Sequence, residues 1–576
     1  MLFRLAVLLA LATPALADPP TEAAFKALYS REWTFRQQQS ASSDDPSRVV
    51  DHLPSVTPAA QALALQTWTR ARAGLDGIPV ARLSPESQVD FGIYRAQLDV
   101  LIAQQRFRDW EMPANPDSSF WSDLAAEGQR NLRTEADYRQ WIARMRDVPR
   151  YFAEQTANMR AGLARGFTPP KVTMTGRDGG VASIAEASRP QDTAYYQPFK
   201  TMPASIPVAT QADLRAAAVA AIGDAVIPAH RALLSFLRQT YLPGLRTSLA
   251  ASALPGGPAY YASKIKEFTT LDLSAAQIHD IGVAQVARIR AEMLGVMAET
   301  GFTGDLPAFL AMLRTDPRFY ATTPDQLLKQ AAWTAKRFDN VASVWFGRLP
   351  RERFGIVPVP ADIAPFYTAG RGGPGVYMLN TYDLPSRPLF QLAALTLHES
   401  APGHAFQMPL AAENTGQPAF RRSSYISAYG EGWALYCERL GVEMGIYETP
   451  YERFGMLSYQ MWRAARLVVD TGIHAQGWSR ERAQAFMRDN TALSEREITT
   501  EVDRYIGWPG QALSYYLGEQ AIVAARAKAS GALGAKFDIR AFHDTVLALG
   551  SVPLPVLTAR IDRFIAENGK GPYPLK

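Results

Sequence analysis

Apolar residues along this chain recur mostly at three- and four-residue intervals, the spacing that lines one face of an α-helix, and few segments alternate at the two-residue period of a strand. Ser274, with Gln277 three residues on, opens a helix whose apolar positions Ile278, Ile281, Val286, Ile289, Met293 and Val296 keep helical spacing until Gly301, a residue suited to end it. Ser84-Pro85-Glu86-Ser87 and Thr323-Pro324-Asp325-Gln326 each place a hydroxyl at the N-cap and proline at the first helical position. Segments 210–250, 420–447, 451–475, 479–490 and 511–530 predict helices on the same grounds. The expected fold is mainly α: a large helical body with a deep cleft and a small β-sheet.

Two tracts interrupt the helical pattern. Residues 168–208 carry Pro169-Pro170, Gly179-Gly180 and scattered Ser and Pro, and predict a long irregular stretch, either an ordered insertion or a boundary. Residues 354–382, with Phe354-Gly355-Ile356-Val357-Pro358-Val359 and then Arg371 to Asn380, read as strand-like. No period of 20 to 50 residues marks a solenoid. These breaks divide the chain into an N-terminal helical region over 18–208 and a second helical region over 209–576.

Residues 1–17 predict a secretory leader. Arg4 precedes an apolar run from Leu5, and Ala15-Leu16-Ala17 is a small-x-small site for cleavage before Asp18. Position 18 is not cysteine, and no later run reaches membrane-spanning length without charge, so a soluble periplasmic or secreted protein is expected. With 60 basic and 55 acidic residues the net charge is only +5, spread without a basic run, which argues against a nucleic-acid partner. The single cysteine, Cys437, allows no intramolecular disulfide and no thiolate metal site, and its apolar helical setting suits packing.

Against that ordinary background, two of only seven histidines fall close together in His398-Glu399-Ser400-Ala401-Pro402-Gly403-His404. Zincin helices place two imidazoles four residues apart on one face, with the intervening glutamate as general base. A six-residue step rotates by about 240°, so a regular helix cannot aim both rings at one ion. Pro402 and Gly403 allow a kink that swings His404 back towards His398. A third ligand is expected from Tyr429-Gly430-Glu431-Gly432-Trp433-Ala434-Leu435-Tyr436-Cys437-Glu438. Glu431 and Glu438 share a face two turns apart, about 10 Å, so only one can bind the same ion. Small neighbours at Gly430 and Gly432 favour Glu431, which leaves Glu438 as a supporting or structural carboxylate. Cys437 aside, other chemistries are thin: Ser263-x-x-Lys266 stands alone, and no nucleophile elbow, phosphate loop or dinucleotide fingerprint is present.

Further candidates follow from position. Asp470 and His474 sit four apart on a helix, where the carboxylate can orient the imidazole; His474 then either donates to a tetrahedral oxyanion or is a structural histidine. Ser494-Glu495-Arg496-Glu497 starts a helix that ends at Arg504-Tyr505, just before Trp508-Pro509-Gly510. Arg504 is a candidate clamp for a substrate carboxylate and Tyr505 a candidate phenol for the oxyanion, with Tyr515 a second phenol and stacked structural roles the alternative.

The 398–404 motif, the 429–436 helix and Trp508-Pro509-Gly510-Gln511-Ala512-Leu513 together resemble the bacterial family known as domain of unknown function 885, most strongly over 350–520. That resemblance implies a mostly helical, often exported protein related to gluzincin-type metallopeptidases. There is also a weaker similarity to helical peptidases of the angiotensin-converting-enzyme and thimet-oligopeptidase type. It implies one divalent ion, zinc, held by His398, His404 and Glu431, with Glu399 as base. The gluzincin resemblance also implies an edge strand over 372–380 that pairs with an extended peptide, where Tyr377 and Asn380 are the candidate contacts, with a structural hairpin the alternative. The resulting expectation is an exported metal-dependent hydrolase, a zinc peptidase acting on short peptides or related amides. The alternatives are a non-hydrolytic ligand-binding protein with the same body, or a metal amidase or esterase on other substrates.

Overall fold

The computed structural model describes residues 18–40, 48–116, 118–128, 130–361 and 363–574; the expected leader over 1–17 lies outside them. The structure is 71% helical and carries, among the described residues, one small three-stranded sheet, as the apolar spacing predicts. The predicted helix starts carry their caps. Ser84, Ser274, Thr323 and Ser494 each accept a hydrogen bond from the amide three residues on, and Ser274 and Ser494 complete capping boxes with Gln277 and Glu497.

Three apolar cores organise the helices. Along the chain run α1 (Ala275–Glu299), α2 (Leu389–Glu399), α3 (His404–Ala412), α4 (Ser427–Glu443), α5 (Pro450–Gln476), α6 (Glu495–Gly507) and α7 (Ser514–Leu533); α3 and most of α4 face the second core, α7 contributes to both, and the first core is centred on α1, α2, α5 and α6. Ile289 and Met293 of α1 and Leu467, Val468 and Ile473 of α5 lie in this core. The second core joins Trp433 and Tyr429 of α4 to Phe406 of α3, to C-terminal Phe542 and Phe564, and to N-terminal Phe25 and Tyr94. The third gathers residues from Leu53 and from Ala114 to Leu245.

This packing does not divide the chain at 208. The stretch over 168–208 folds into short helices, including Lys171–Met174, Gly179–Ala185 and Gln197–Lys200, and buries Val181, Tyr195 and Phe199 in the third core. Its Pro and Gly residues separate short elements and do not separate domains. Phe25 and the apolar residues from Ala71 to Leu98, by contrast, pack into the second core beside the C-terminal helices. Among the described residues, Val208–Gly244 is long and apolar enough by length and composition to cross a membrane, and it is interrupted by the charged Asp213, Arg215, Asp224, Arg231 and Arg238. Its Leu214, Val226, Leu233 and Tyr241 are spent inside the third core.

The strand-like tract forms β1 (Gly355–Pro358), β2 (Gly370–Gly373) and β3 (Val376–Leu379) in the order β1-β3-β2. The central strand β3 runs parallel to β1 and antiparallel to β2, with Gly372 opposite Tyr377. The Asn380 amide donates to the Ala369 carbonyl at 2.9 Å, and the alternation this sets turns Gly370 and Gly372 outward from the pair, leaving β2 as the edge beside the histidine motif.

Candidate metal centre

The apolar helix α2 runs to Glu399 and stops. Ser400 and Gly403 take non-helical backbone angles, and α3 starts at His404, so the expected kink is a full break between two helices. The break is closely held. The Gly403 amide donates to the Leu397 carbonyl at 3.0 Å, and the Trp433 indole of α4 donates to the Pro402 carbonyl at 2.8 Å. A Cβ on Gly403 would lie 1.8 Å from the His398 carbonyl oxygen, so only glycine fits this crossing.

The break brings together ligand atoms of His398, His404 and Glu431, all within 4.8 Å of one another and largely buried. His398 Nε2 and His404 Nε2 each lie 3.4 Å from the same oxygen, Glu431 Oε2. That distance is long for a hydrogen bond. It matches the edge of a tetrahedron of N and O donors around zinc, about 3.3 Å for bonds of about 2.0–2.1 Å. The residues therefore fit a divalent cation in geometry as well as in donor type.

Glu438 meets His398 from behind, with Oε1 2.8 Å from Nδ1. A proton on Nδ1 donated to this carboxylate leaves the Nε2 lone pair facing the cluster, the arrangement that fixes the tautomer of a metal-binding imidazole. The two glutamates two turns apart on α4 thus address the two nitrogens of one ring. Burial opposes charge on His398, but the Glu431 and Glu438 carboxylates outweigh it and hold the imidazolium up at about 10. Burial likewise opposes charge on Glu431, and the two histidines still hold it well below the usual carboxylate range. The pocket attracts positive charge.

Glu399 ends α2 beside the cluster, and its Oε2 accepts from the Gly372 amide of β2 at 2.7 Å. The strand can come this close because Gly372 has no side chain: a Cβ there would meet the Glu399 carbonyl oxygen at 1.7 Å. The outward-facing amide of the edge strand is thereby engaged by the candidate base.

Several predicted residues stand elsewhere. His474 is fully buried; its Nδ1 accepts from the Ala251 amide at 3.1 Å and its Nε2 lies 2.8 Å from the Tyr505 carbonyl oxygen. With both nitrogens committed to backbone it has nothing to offer an oxyanion. Asp470 does not orient it: the carboxylate accepts from the Tyr261 hydroxyl at 2.6 Å and the Gly510 amide at 3.2 Å. The Tyr505 hydroxyl is also committed, accepting from Trp462 Nε1 at 2.8 Å and Arg466 Nε at 2.9 Å. Tyr377 lies on the central strand with its ring buried against Gly370, and Asn380 is fully buried, its amide donating to the carbonyls of Ala364, Tyr367 and Thr368. Both are structural, because the exposed edge belongs to β2 and not to β3. Gly432 lets α4 and α7 cross, with a Cβ falling 2.4 Å from the Gly518 carbonyl carbon. Arg504 donates to Gln511 at 2.8 Å and to the Tyr515 hydroxyl at 3.2 Å, which ties the two predicted residues into one group.

The sequence reading misses three side chains. Tyr425 precedes α4 and its hydroxyl donates to Glu431 Oε1 at 3.2 Å. Half of the residue is exposed, yet the hydroxyl reaches deep enough that burial, with the Glu431 charge beside it, pushes the phenol well above its usual value. Arg463 and Arg466 of α5 form a stack of alternating rings and guanidiniums, Tyr459, Arg463, Trp462, Arg466, Tyr515, with each guanidinium carbon 4.1–4.6 Å from the ring centres beside it. Arg463 Nη2 lies 3.6 Å from Glu438 Oε1, linking the stack to His398. A pair of arginines three apart on an otherwise apolar helix, flanked by aromatics, is the available sequence signal.

Two solved structures share this fold. A crystal structure from Colwellia psychrerythraea, described as a putative lipoprotein, aligns with a TM-score of 0.87 at 26% identity, covering 95% of this chain and all of that one. A structure from Shewanella oneidensis, described as a putative lipoprotein of unknown function, aligns with a TM-score of 0.69 at 18% identity, over 94% of this chain and 99% of that one, and speaks for the fold alone. No curated protein matches the chain. The family model for a bacterial protein of unknown function, DUF885, matches residues 39–561, and the chain belongs to that family.

Proposed function

We propose that the protein is an exported metal-dependent hydrolase, a zinc peptidase that cleaves short peptides or related amides. The observation that carries this reading is the convergence of His398, His404 and Glu431, with both Nε2 atoms 3.4 Å from Glu431 Oε2, and with Glu399 adjacent. When bound, a divalent ion supplies a Lewis acid that brings the pKa of water to near 7 and polarises a carbonyl. His398 and His404 would hold the cation through Nε2 and Glu431 through Oε2, and Glu438 keeps His398 in the required tautomer. Glu399 takes the proton of the attacking water and returns it to the amine nitrogen as the carbon–nitrogen bond breaks. The Gly372 amide holds that carboxylate in place between the two transfers. Export is supported by the leader-like residues 1–17 and by the description of the Colwellia psychrerythraea neighbour as a putative lipoprotein.

Glu399→Gln tests the mechanism. Zinc content, measured by elemental analysis, should stay at the wild-type stoichiometry while peptide turnover falls by about 10²–10⁴-fold. Turnover retained in that variant rules out Glu399 as the base.

A further inference from the structure

We infer that the Tyr425 hydroxyl is the hydrogen-bond donor that steadies the oxyanion formed at the scissile carbonyl, an assignment that rests on the hydrolase reading above. The donors expected for this task are committed elsewhere: both His474 nitrogens are bound to backbone, and the buried Tyr505 hydroxyl accepts from Trp462 and Arg466 and has the Glu501 carboxylate as its own acceptor. Tyr515 is nearly buried, its ring lies 4.3 Å from the Arg466 guanidinium carbon, and its hydroxyl is held by Arg504. Tyr425 differs in its exposure and in having a candidate metal ligand as its hydroxyl's partner. It is 50% exposed, and its hydroxyl makes one hydrogen bond among the described residues, to Glu431 Oε1. That oxygen is the one turned away from the histidines, which face Oε2. The phenol therefore sits one carboxylate width from the place where the three ligand atoms meet.

Local structure allows the hydroxyl to leave that bond for a substrate. Tyr425 lies in the short connection before α4, and the following residue is pinned, with the Ile426 amide donating to Ser551 Oγ at 2.7 Å. The ring passes over Gly430, where a Cβ would lie 2.6 Å from both Cε2 and the hydroxyl oxygen. A glycine at this position keeps the path of the ring clear. As the water oxygen bonds to the carbonyl carbon, the π pair moves onto the carbonyl oxygen, and Tyr425 donates a hydrogen bond to that oxygen while keeping its own proton. When the pair returns, the carbon–nitrogen bond breaks and the amine takes its proton from Glu399.

Tyr425→Phe, in the full zinc-loaded chain, is the test, with short alanine peptides as substrates and a phosphinic analogue of trialanine as a mimic of the tetrahedral state. Loss of one oxyanion donor should lower kcat about 100-fold with KM and zinc content unchanged. Affinity for the phosphinic analogue should fall by a similar factor, while affinity for trialanine itself changes less than about twofold. Tyr515→Phe should change kcat by less than about threefold. The inference is overturned if Tyr425→Phe keeps kcat within threefold of wild type, or if zinc affinity falls in step with kcat, which would make Tyr425 a support for Glu431 only. If the wild type turns over no peptide, the hydrolase reading fails; Tyr425 is then judged on the phosphinic analogue, and equal binding by wild type and variant overturns its assignment as well.

Discussion

Two buried clusters in this protein are built from the same residue types and end in opposite chemical states. Around His398, an imidazole meets Glu438 through one nitrogen and keeps the other for a point shared with His404 and Glu431. Around His474, an imidazole is bonded through both nitrogens to the Ala251 amide and the Tyr505 carbonyl, and Asp470, four residues away, is spent on Tyr261 and Gly510. The protonation tendencies diverge accordingly. Burial lowers His474 to about 4 with no carboxylate to oppose it, whereas two carboxylates lift His398 to about 10 despite burial. Binding capacity depends on which donors and acceptors remain after the fold has satisfied itself, and composition alone does not report that remainder.

The contrast is broken most severely by removing a ligand. His404→Ala deletes one of three convergent donors, and stoichiometric zinc should be lost after dialysis, as read by elemental analysis, with the far-ultraviolet spectrum unchanged. Retention of zinc by this variant would show that the cluster is no metal centre. A smaller effect is expected at Glu438→Gln. The amide keeps the shape and removes the charge that orients His398, so zinc affinity measured by chelator competition should weaken about 10–100-fold. Arg463, 3.6 Å from that carboxylate, then faces a neutral group.

Much of the candidate metal centre was legible because its residues are rare types in close sequence. His398, His404 and Glu431 stand out from a chain with seven histidines, and the Pro402-Gly403 pair announces the break that makes the six-residue spacing workable. Glu438 follows from the same helix face as Glu431. The helices were legible from apolar spacing and from N-caps at Ser84, Ser274, Thr323 and Ser494. Long-range satisfaction was not legible. Asp470 and His474 have the right helical interval to pair, but Tyr261 and Gly510, 209 and 40 residues away, compete for the carboxylate and win. Strand order was hidden in the same way: Tyr377 lies on the interior strand because β1 pairs with β3 across a connection the local pattern does not encode. Tyr425 escaped notice because a tyrosine in a connection carries no periodicity, and only the fold brings it to Glu431.

The smallest effect on the cation is expected at the second cluster, where the change appears in stability instead. His474→Gln should alter zinc affinity less than about twofold, since neither nitrogen faces the centre. The native pKa of about 4 lies below the unfolded value of about 6.5, so the unfolded chain takes up a proton first on acidification. The contribution of His474 is therefore fully present above about pH 6.5 and is lost as pH falls towards 4, with an upper bound of about 3 kcal/mol. Asp470, raised to about 7 by burial against an unfolded value of about 3.9, acts in the opposite sense, its contribution being present below about pH 4 and lost as pH rises through 7. Wild-type stability alone would mix the two, so the informative quantity is the stability difference between wild type and His474→Gln from urea unfolding at several pH values. The variant should be the less stable at pH 7, and the gap should narrow as pH approaches 4 because only wild type carries the histidine to be protonated. A gap independent of pH, or a fall in zinc affinity comparable to that of Glu438→Gln, would place His474 with the metal centre and erase the distinction between the two clusters.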